Sequence, residues 1–262
     1  MEVDIKAAFF FIDLRGSREI FSSQIDSNKL LKSLADYLNK NFSMQLMTPF
    51  SVREGDALIG GTKDFRLIVD IYQTCLNFSY SKELLDFSKS SNTPIDKIKF
   101  YFGVGIGNIS TTPDTYDNIE EINGSAISNA KEATEQAKKA INSNDDYFFK
   151  LQKFQFYAKC DNNDPVDKIL NPMIYLIFEN LVSNSHQNKL FILKELYRED
   201  KNYNLAKKMG YDFIETDVEE RRKVSSQISN IIRKSHYELQ KKSKIDLKNY
   251  LYITYNMEGF NK

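Results

Sequence analysis

The sequence predicts an α+β protein: a βαββαβ domain over residues 1–160, then a mainly helical domain over residues 161–262. Three observations predict it. Up to residue 160, short apolar runs bounded by turn residues alternate with stretches whose apolar residues recur every three or four positions; beyond it nearly every segment has helical spacing. The run Asp161-Asn162-Asn163-Asp164-Pro165 is a strong break between the two regions. The charge also changes sign along a chain of zero net charge. From His186 to the end there are 16 Lys+Arg against 11 Asp+Glu, which leaves the remainder with 20 against 25.

Taken in order, Ile5–Ile12 is a short apolar run with little alternation, as in a strand buried on both faces. Arg18–Phe42 reads as helix, with Leu30, Leu31, Leu34, Tyr37 and Leu38 on one side. Met44–Val52 and Ala57–Gly61 are strands joined through Arg53-Glu54-Gly55-Asp56, a hairpin turn in which Glu54 reads as a turn acid. Asp64 opens a helix from Phe65 to about Ser81, and Ser88–Pro94 is a polar loop. Ile98–Ile106 alternates cleanly, with Phe100, Phe102, Val104 and Ile106 on one face and Gly103, Gly105 and Gly107 on the other. That glycine face admits a close approach, either of a ligand or of a helix. Gly124–Ile141 is an alanine-rich helix, and Tyr147–Tyr157 is a last strand. In the second domain, Pro172–Val182, Lys189–Tyr197, Tyr203–Met209 and Val218–Lys242 read as helices and Leu251–Tyr255 as a short strand.

The chain has 262 residues, 41% of them hydrophobic and 13% aromatic, enough to bury a sizeable core. Two cysteines offer no disulfide framework and no paired metal-ligand spacing. The two histidines stand apart, which argues against zinc and against His-based acid–base chemistry. No apolar run is long enough to cross a bilayer and the N-terminus has no secretory pattern, so the expectation is a cytoplasmic protein with no membrane partner.

The chemistry concentrates in Phe9-Phe10-Phe11-Ile12-Asp13-Leu14-Arg15-Gly16-Ser17-Arg18. A buried strand delivers one carboxylate and then turns through glycine into a helix start. The carboxylate suits a cation, while Gly16, Ser17 and Arg18 suit a phosphate. In the ferredoxin-like plan the first strand is central and pairs with the third, which places the hairpin turn carrying Gly55 and Asp56 beside Asp13. Asp13 and Asp56 are then the candidate Mg²⁺ ligands, because that ion takes one or two carboxylates together with waters and substrate phosphates. Gly105 joins the candidate phosphate contacts.

Phe11-Ile12-Asp13-Leu14-Arg15-Gly16-Ser17, Glu54-Gly55-Asp56-Ala57 and Gly103-Val104-Gly105-Ile106-Gly107 together resemble the catalytic domain of class III nucleotidyl cyclases, a palm-like fold. Ile12–Arg18, Glu54–Gly60, Gly105-Ile106-Gly107 with Thr111, and Asn123–Ala126 through Ala130–Ala133 resemble the SatD family more closely. The cyclase resemblance implies metal-binding aspartates at positions 13 and 56. It departs where the cyclases carry a base-reading lysine, here Ser51-Val52, and where their asparagine and arginine fall, here near Ser128 and Glu132. Loss of a cationic stabiliser removes on the order of 10³-fold or more in phosphoryl transfer. The expected ligand is therefore a nucleotide held with Mg²⁺ rather than turned over.

The SatD resemblance also implies a C-terminal helix-turn-helix. Leu205–Gly210 resembles its first helix and turn, and Ser225–Lys234 its recognition helix. Ser226, Gln227, Asn230, Arg233 and Lys234 are the side chains suited to base edges and phosphates of double-stranded DNA. The separation of the two segments exceeds the usual three- or four-residue turn, and packing of helices in a second copy of the chain is the alternative use of this region. The expectation is thus a regulatory protein that binds a nucleotide and DNA. An active Mg²⁺- or Mn²⁺-dependent cyclase or nucleotidyltransferase, and a scaffold acting through protein contacts, are the alternatives.

Overall fold

The computed structural model describes residues 3–21, 23–53, 57–111, 122–139, 154–162, 164–183, 185–197 and 201–256. The fold is α+β and divides into two units: Met1–Tyr175 together with Leu247–Lys262, and Leu176–Asp246. Among the described residues no helix is long and apolar enough to cross a membrane.

The first unit is built on a five-stranded sheet, β1 (Val3–Leu14), β2 (Thr48–Arg53), β3 (Ala57–Thr62), β4 (Phe100–Thr111) and β5 (Phe154–Lys159), in the order β2-β3-β1-β4-β5. β1 is central and antiparallel to both β3 and β4, and β5 is parallel to β4. Its apolar run is buried on both faces, as the lack of alternation requires. Phe10 lies 5.7 Å from Phe50 and 5.9 Å from Phe102, ring centre to ring centre. Phe102 and Phe156 in turn pack edge-on against fully buried Tyr72, whose hydroxyl donates to the Phe154 carbonyl at 3.0 Å. That hydrogen bond removes the cost of burying a phenol. Tyr72 belongs to α3 (Leu67–Phe78), which packs with α2 (Gln24–Phe42) on this face. On the opposite face Ala7, Phe9 and Ile59 meet Ala126 and Ala130 of α5 (Ser125–Lys139).

The glycine face of β4 belongs to α5. A Cβ on Gly103 would lie 2.1 Å from Thr134 Oγ1, and one on Gly105 would lie 2.0 Å from the Ala126 carbonyl oxygen and 2.1 Å from the Ala130 nitrogen. Small residues on both partners let helix and strand backbones touch.

Several elements differ from the sequence reading. The long first helix is split: α1 (Ser17–Ile20) is one turn, and α2 starts afresh at Ser23, whose hydroxyl accepts from the Asp26 amide. The polar stretch from Ser88 is the end of a helix, α4 (Lys82–Ser91), capped by Ser81 at its start and by Asn92 in a left-handed conformation at its end. Leu251–Tyr255 is the last part of helix α10 (Tyr237–Asn256), not a strand. Residues 147–153 of the expected last strand lie outside the described residues.

Both edge strands are held by an asparagine. Asn39 of α2 donates to the Phe50 carbonyl at 2.8 Å and accepts from the Phe50 amide at 2.7 Å. Asn171, on α6 (Val166–Ser183), does the same to Ala158 of β5, at 2.9 and 2.6 Å. Across the first unit Tyr255 stacks on Phe65 at 4.0 Å and donates to Asp164 at 2.9 Å; Asp164 also pairs with Lys6 at 2.9 Å.

The second unit contains α7 (Ser185–Leu196), α8 (Asn202–Met209) and α9 (Val218–Lys234). α8 stops at Gly210, whose φ of +90° suits a residue without a side chain. Asp217 caps α9 by accepting from the Glu219 and Glu220 amides. The link from Gly210 to Asp217 is longer than a helix-turn-helix turn. Leu205, Ala206 and Met209 of α8 and Val224 and Ile228 of α9 are buried.

Candidate functional site

The register brings one residue from every strand into a single row across the sheet. Arg53 pairs with Ala57, Ala57 with Asp13, Asp13 with Tyr101, and Tyr101 with Gln155. Directly paired residues share a face, and this is the face covered by α5. Tyr101 marks where the glycine stripe of β4 ends. α5 lies tight over Gly107, Gly105 and Gly103, and the first full side chain of the series stands under its last turn.

The helix delivers a lysine to Asp13. Thr134 Oγ1 shares its one proton between the Ala130 carbonyl of its own helix at 2.9 Å and the Phe11 carbonyl at 3.2 Å, which sets the height of α5 over β1. From Phe11 to Asp13 a strand advances ~6.7 Å, and from Thr134 to Lys138 a helix advances ~6 Å. Lys138 therefore comes to rest over Asp13, with Nζ 2.7 Å from Asp13 Oδ2 and 2.8 Å from Glu135 Oε1. Burial alone would lower the Lys138 pKa. The hydrogen bonds and negative charges of Asp13 and Glu135 outweigh it and hold the ammonium above its ordinary value. Burial raises the Tyr101 hydroxyl, with Arg15 and Lys138 opposing and Asp13 and Glu135 adding to the shift. The end of β1 is thus a mixed-charge cluster of Asp13, Arg15, Tyr101, Glu135 and Lys138.

Two buried donors in the same row, Arg53 Nε and Gln155 Nε2, have no hydrogen-bond partner among the described residues. Gln155 is only 4% exposed. A buried donor left unsatisfied costs about 1–3 kcal/mol. An acceptor-rich ligand removes that cost.

The structure brings some of the expected residues together and separates others. Gly16, at φ +63°, turns the chain out of β1 and leads into Ser17, which is buried, and Arg18, which is exposed; all three follow Asp13 in the chain where β1 ends. Gly55 and Asp56 lie outside the described residues, although their flanks, Arg53 and Ala57, lie in the row. Gly105 pairs with Phe9, four residues along β1 from Asp13, which is ~13 Å of strand. Its open side is filled by α5 backbone. The positions of the missing cyclase asparagine and arginine are ordinary here: Ser128 is exposed, and Glu132 pairs with Lys159.

Sequence reading missed Arg53, Tyr101, Lys138 and Gln155 as site residues. Tyr101 had a signal, being the position at which the alternate-glycine pattern breaks. The others depend on strand register and on the height of α5.

Mg²⁺ was expected at Asp13 together with Asp56. Asp56 lies outside the described residues, and Asp13 Oδ2 is met by the Lys138 ammonium at 2.7 Å.

In the second unit Ser226, Gln227, Asn230, Arg233 and Lys234 are all exposed along one side of α9. Arg222 and Lys223 extend the stripe, and from Arg221 to Tyr237 the chain carries five basic residues and no acid. The opposite side is the buried one, Val224 and Ile228.

No family model matches the chain, and no curated protein matches it. Among solved structures it is similar to a bacterial light-regulated adenylyl cyclase, with a TM-score of 0.36 and 10% identity over 53% of this chain and 42% of that one. A second structure of a bacterial light-regulated adenylyl cyclase gives a TM-score of 0.35 and 12% identity over 54% of this chain. The chain spans 42% of the length of each, and likeness at this level assigns no activity.

Proposed function

We propose that this protein binds a nucleotide through its phosphates at the end of β1, as a binding domain rather than a catalyst. The observation that carries the proposal is the row itself: Arg53 brings an unpartnered buried donor toward a strand end already populated by Arg15, Arg18 and Lys138. Guanidinium and ammonium groups beside a glycine turn suit phosphate oxygens. The motif resemblance at Ile12–Arg18 to SatD proteins and class III cyclases supports the same reading. Binding without turnover follows from Ser128 and Glu132, which supply neither the amide nor the cation that stabilises a phosphoryl-transfer transition state. Calorimetric titration with the four common ribonucleoside triphosphates tests the proposal on wild type and Arg53→Ala. Binding by wild type and its loss or marked weakening in the variant is expected; no heat with either protein refutes it.

The exposed stripe of α9 favours a second role in the same protein, contact with double-stranded DNA. Ser226, Gln227 and Asn230 are set for base edges, and Arg233 and Lys234 for phosphates. Mobility shift with duplex DNA at several salt concentrations tests it. Retardation that weakens with salt and is reduced in Arg233→Ala/Lys234→Ala is expected. Retardation unchanged in the double variant removes α9 as the contact.

A further inference from the structure

The Asp13–Lys138 pair has a consequence for what the strand end accepts. A carboxylate at the end of a central strand, beside a glycine turn, ordinarily invites a divalent cation. Here the position facing Asp13 Oδ2 is filled by an ammonium at 2.7 Å. It is no chance surface contact. Thr134 anchors α5 to β1 one helical turn earlier, Gly103 admits the helix at that height, and Glu135 holds the same ammonium at 2.8 Å from within the helix. The Asp13 side chain is 16% exposed, so solvent screens the pair only partly. For Mg²⁺ to coordinate Asp13 Oδ2 at its usual ~2.0–2.1 Å it would have to sit against that ammonium or expel it. Expulsion would break the Asp13 contact of an ammonium that Glu135 still holds at 2.8 Å.

We propose that Lys138, not a divalent cation, is the counter-charge of Asp13, so that this strand end takes a phosphate-bearing ligand as the free anion. Lys138 offsets the charge of the Asp13 carboxylate toward an incoming phosphate and offers the phosphate a donor, while Arg53 supplies the donor on the far side of Ala57. The ligand half rests on the nucleotide reading above; the cation half stands without it.

Two measurements on the full chain separate the halves. The first follows Mn²⁺ alone by electron paramagnetic resonance. Wild type and Asp13→Asn are expected to bind Mn²⁺ identically. Lys138→Gln is expected to gain a site that disappears in Lys138→Gln/Asp13→Asn. A wild-type site abolished by Asp13→Asn overturns the proposal, and so does a Lys138→Gln protein that gains none. The second titrates ATP, GTP, CTP and UTP in EDTA and in Mg²⁺. The wild-type affinity for whichever binds is expected to be no tighter in Mg²⁺, which competes for the phosphates, than in EDTA, and Lys138→Gln to lose about tenfold in EDTA, the size of one charge-assisted hydrogen bond. Lys138→Arg, which keeps the charge, is expected to retain most of the affinity. Binding that requires Mg²⁺ overturns the ligand half. Absence of nucleotide binding in both conditions overturns the nucleotide reading and the ligand half with it, while the Mn²⁺ result still decides the cation half. Circular dichroism melts of each variant verify that the fold is intact.

Discussion

Gly105→Ala is the sharpest single test of how the sheet receives its helix. The added Cβ would stand 2.0 Å from the Ala126 carbonyl oxygen and 2.1 Å from the Ala130 nitrogen, both backbone atoms that no rotamer change can move. Ordinary non-bonded contacts lie near ~3.5–4.0 Å, so α5 must retreat by more than about 1 Å. The retreat would loosen the alanines packed against β1 and β4 and stretch the Thr134 hydrogen bond to Phe11. Overpacking typically costs about 1–3 kcal/mol, and a clash with two backbone atoms of one helix belongs at the upper end, about 3 kcal/mol. At ~2–4 °C per kcal/mol for a chain of this size the expected fall in Tm is about 6–12 °C. Gly210→Ala is the control. Its backbone is left-handed, at φ +90°, but nothing lies within 4 Å, so the cost is conformational alone, about 1 kcal/mol. Thermal and urea denaturation followed by circular dichroism measure both. A Gly105→Ala protein within about 0.5 kcal/mol of wild type, or no less stable than Gly210→Ala, would refute the account of the glycine face and return Gly105 to the list of ligand contacts.

The contact of Tyr255 with Lys6 and Asp164 gives two more expectations in urea melts: Asp164→Ala, which removes the acceptor of Lys6, Tyr255 and the Val166 amide, costs about 2–3 kcal/mol, and Tyr255→Phe, which removes one hydroxyl, about 1 kcal/mol. Burial pushes the Cys160 thiol up to about 12, and Cys75, fully buried, well above its ordinary value, so both should resist Ellman's reagent in the native protein at mildly alkaline pH and react at once in denaturant. Because the folded state holds the Cys160 proton more tightly than the unfolded chain, that contribution to stability is complete below pH 9.0 and is lost as pH rises from there toward about 12; a urea midpoint that rises over that range would contradict it. Asn171→Ala, which opens both backbone groups of Ala158, should cost about 1–3 kcal/mol, read in the same melts.

Much of the sheet was legible because its signals are local. The alternation of Phe100, Phe102, Val104 and Ile106 identified β4, and all four are buried. The small-residue face of α5 was legible too, and Ala126, Ala130, Ala133 and Ala137 are the residues it buries. Where local propensity misled, a longer-range effect won. Leu251–Tyr255 is rich in β-formers, yet it continues a helix begun at Tyr237 and is held by the stacking of Tyr255 on Phe65. α4 is serine-rich and buries only Leu84, so its caps are a better guide than its composition. The site was half legible. Asp13 and the glycine turn after it stand together in sequence. Arg53, Tyr101, Lys138 and Gln155 are separate in the chain, and only strand register and the height of α5 bring them into one row.

The two asparagines that hold the edge strands bear on how this protein can associate. An unpaired strand edge is a template on which another chain can lay a strand of its own. Asn39 and Asn171 each spend a whole carboxamide on one edge residue, filling its amide and its carbonyl as a neighbouring strand would. A strand arriving at Phe50 or Ala158 must break two hydrogen bonds before it forms its own. The sheet is in this sense finished at five strands, and assembly by strand addition at either clamp is disfavoured from the start.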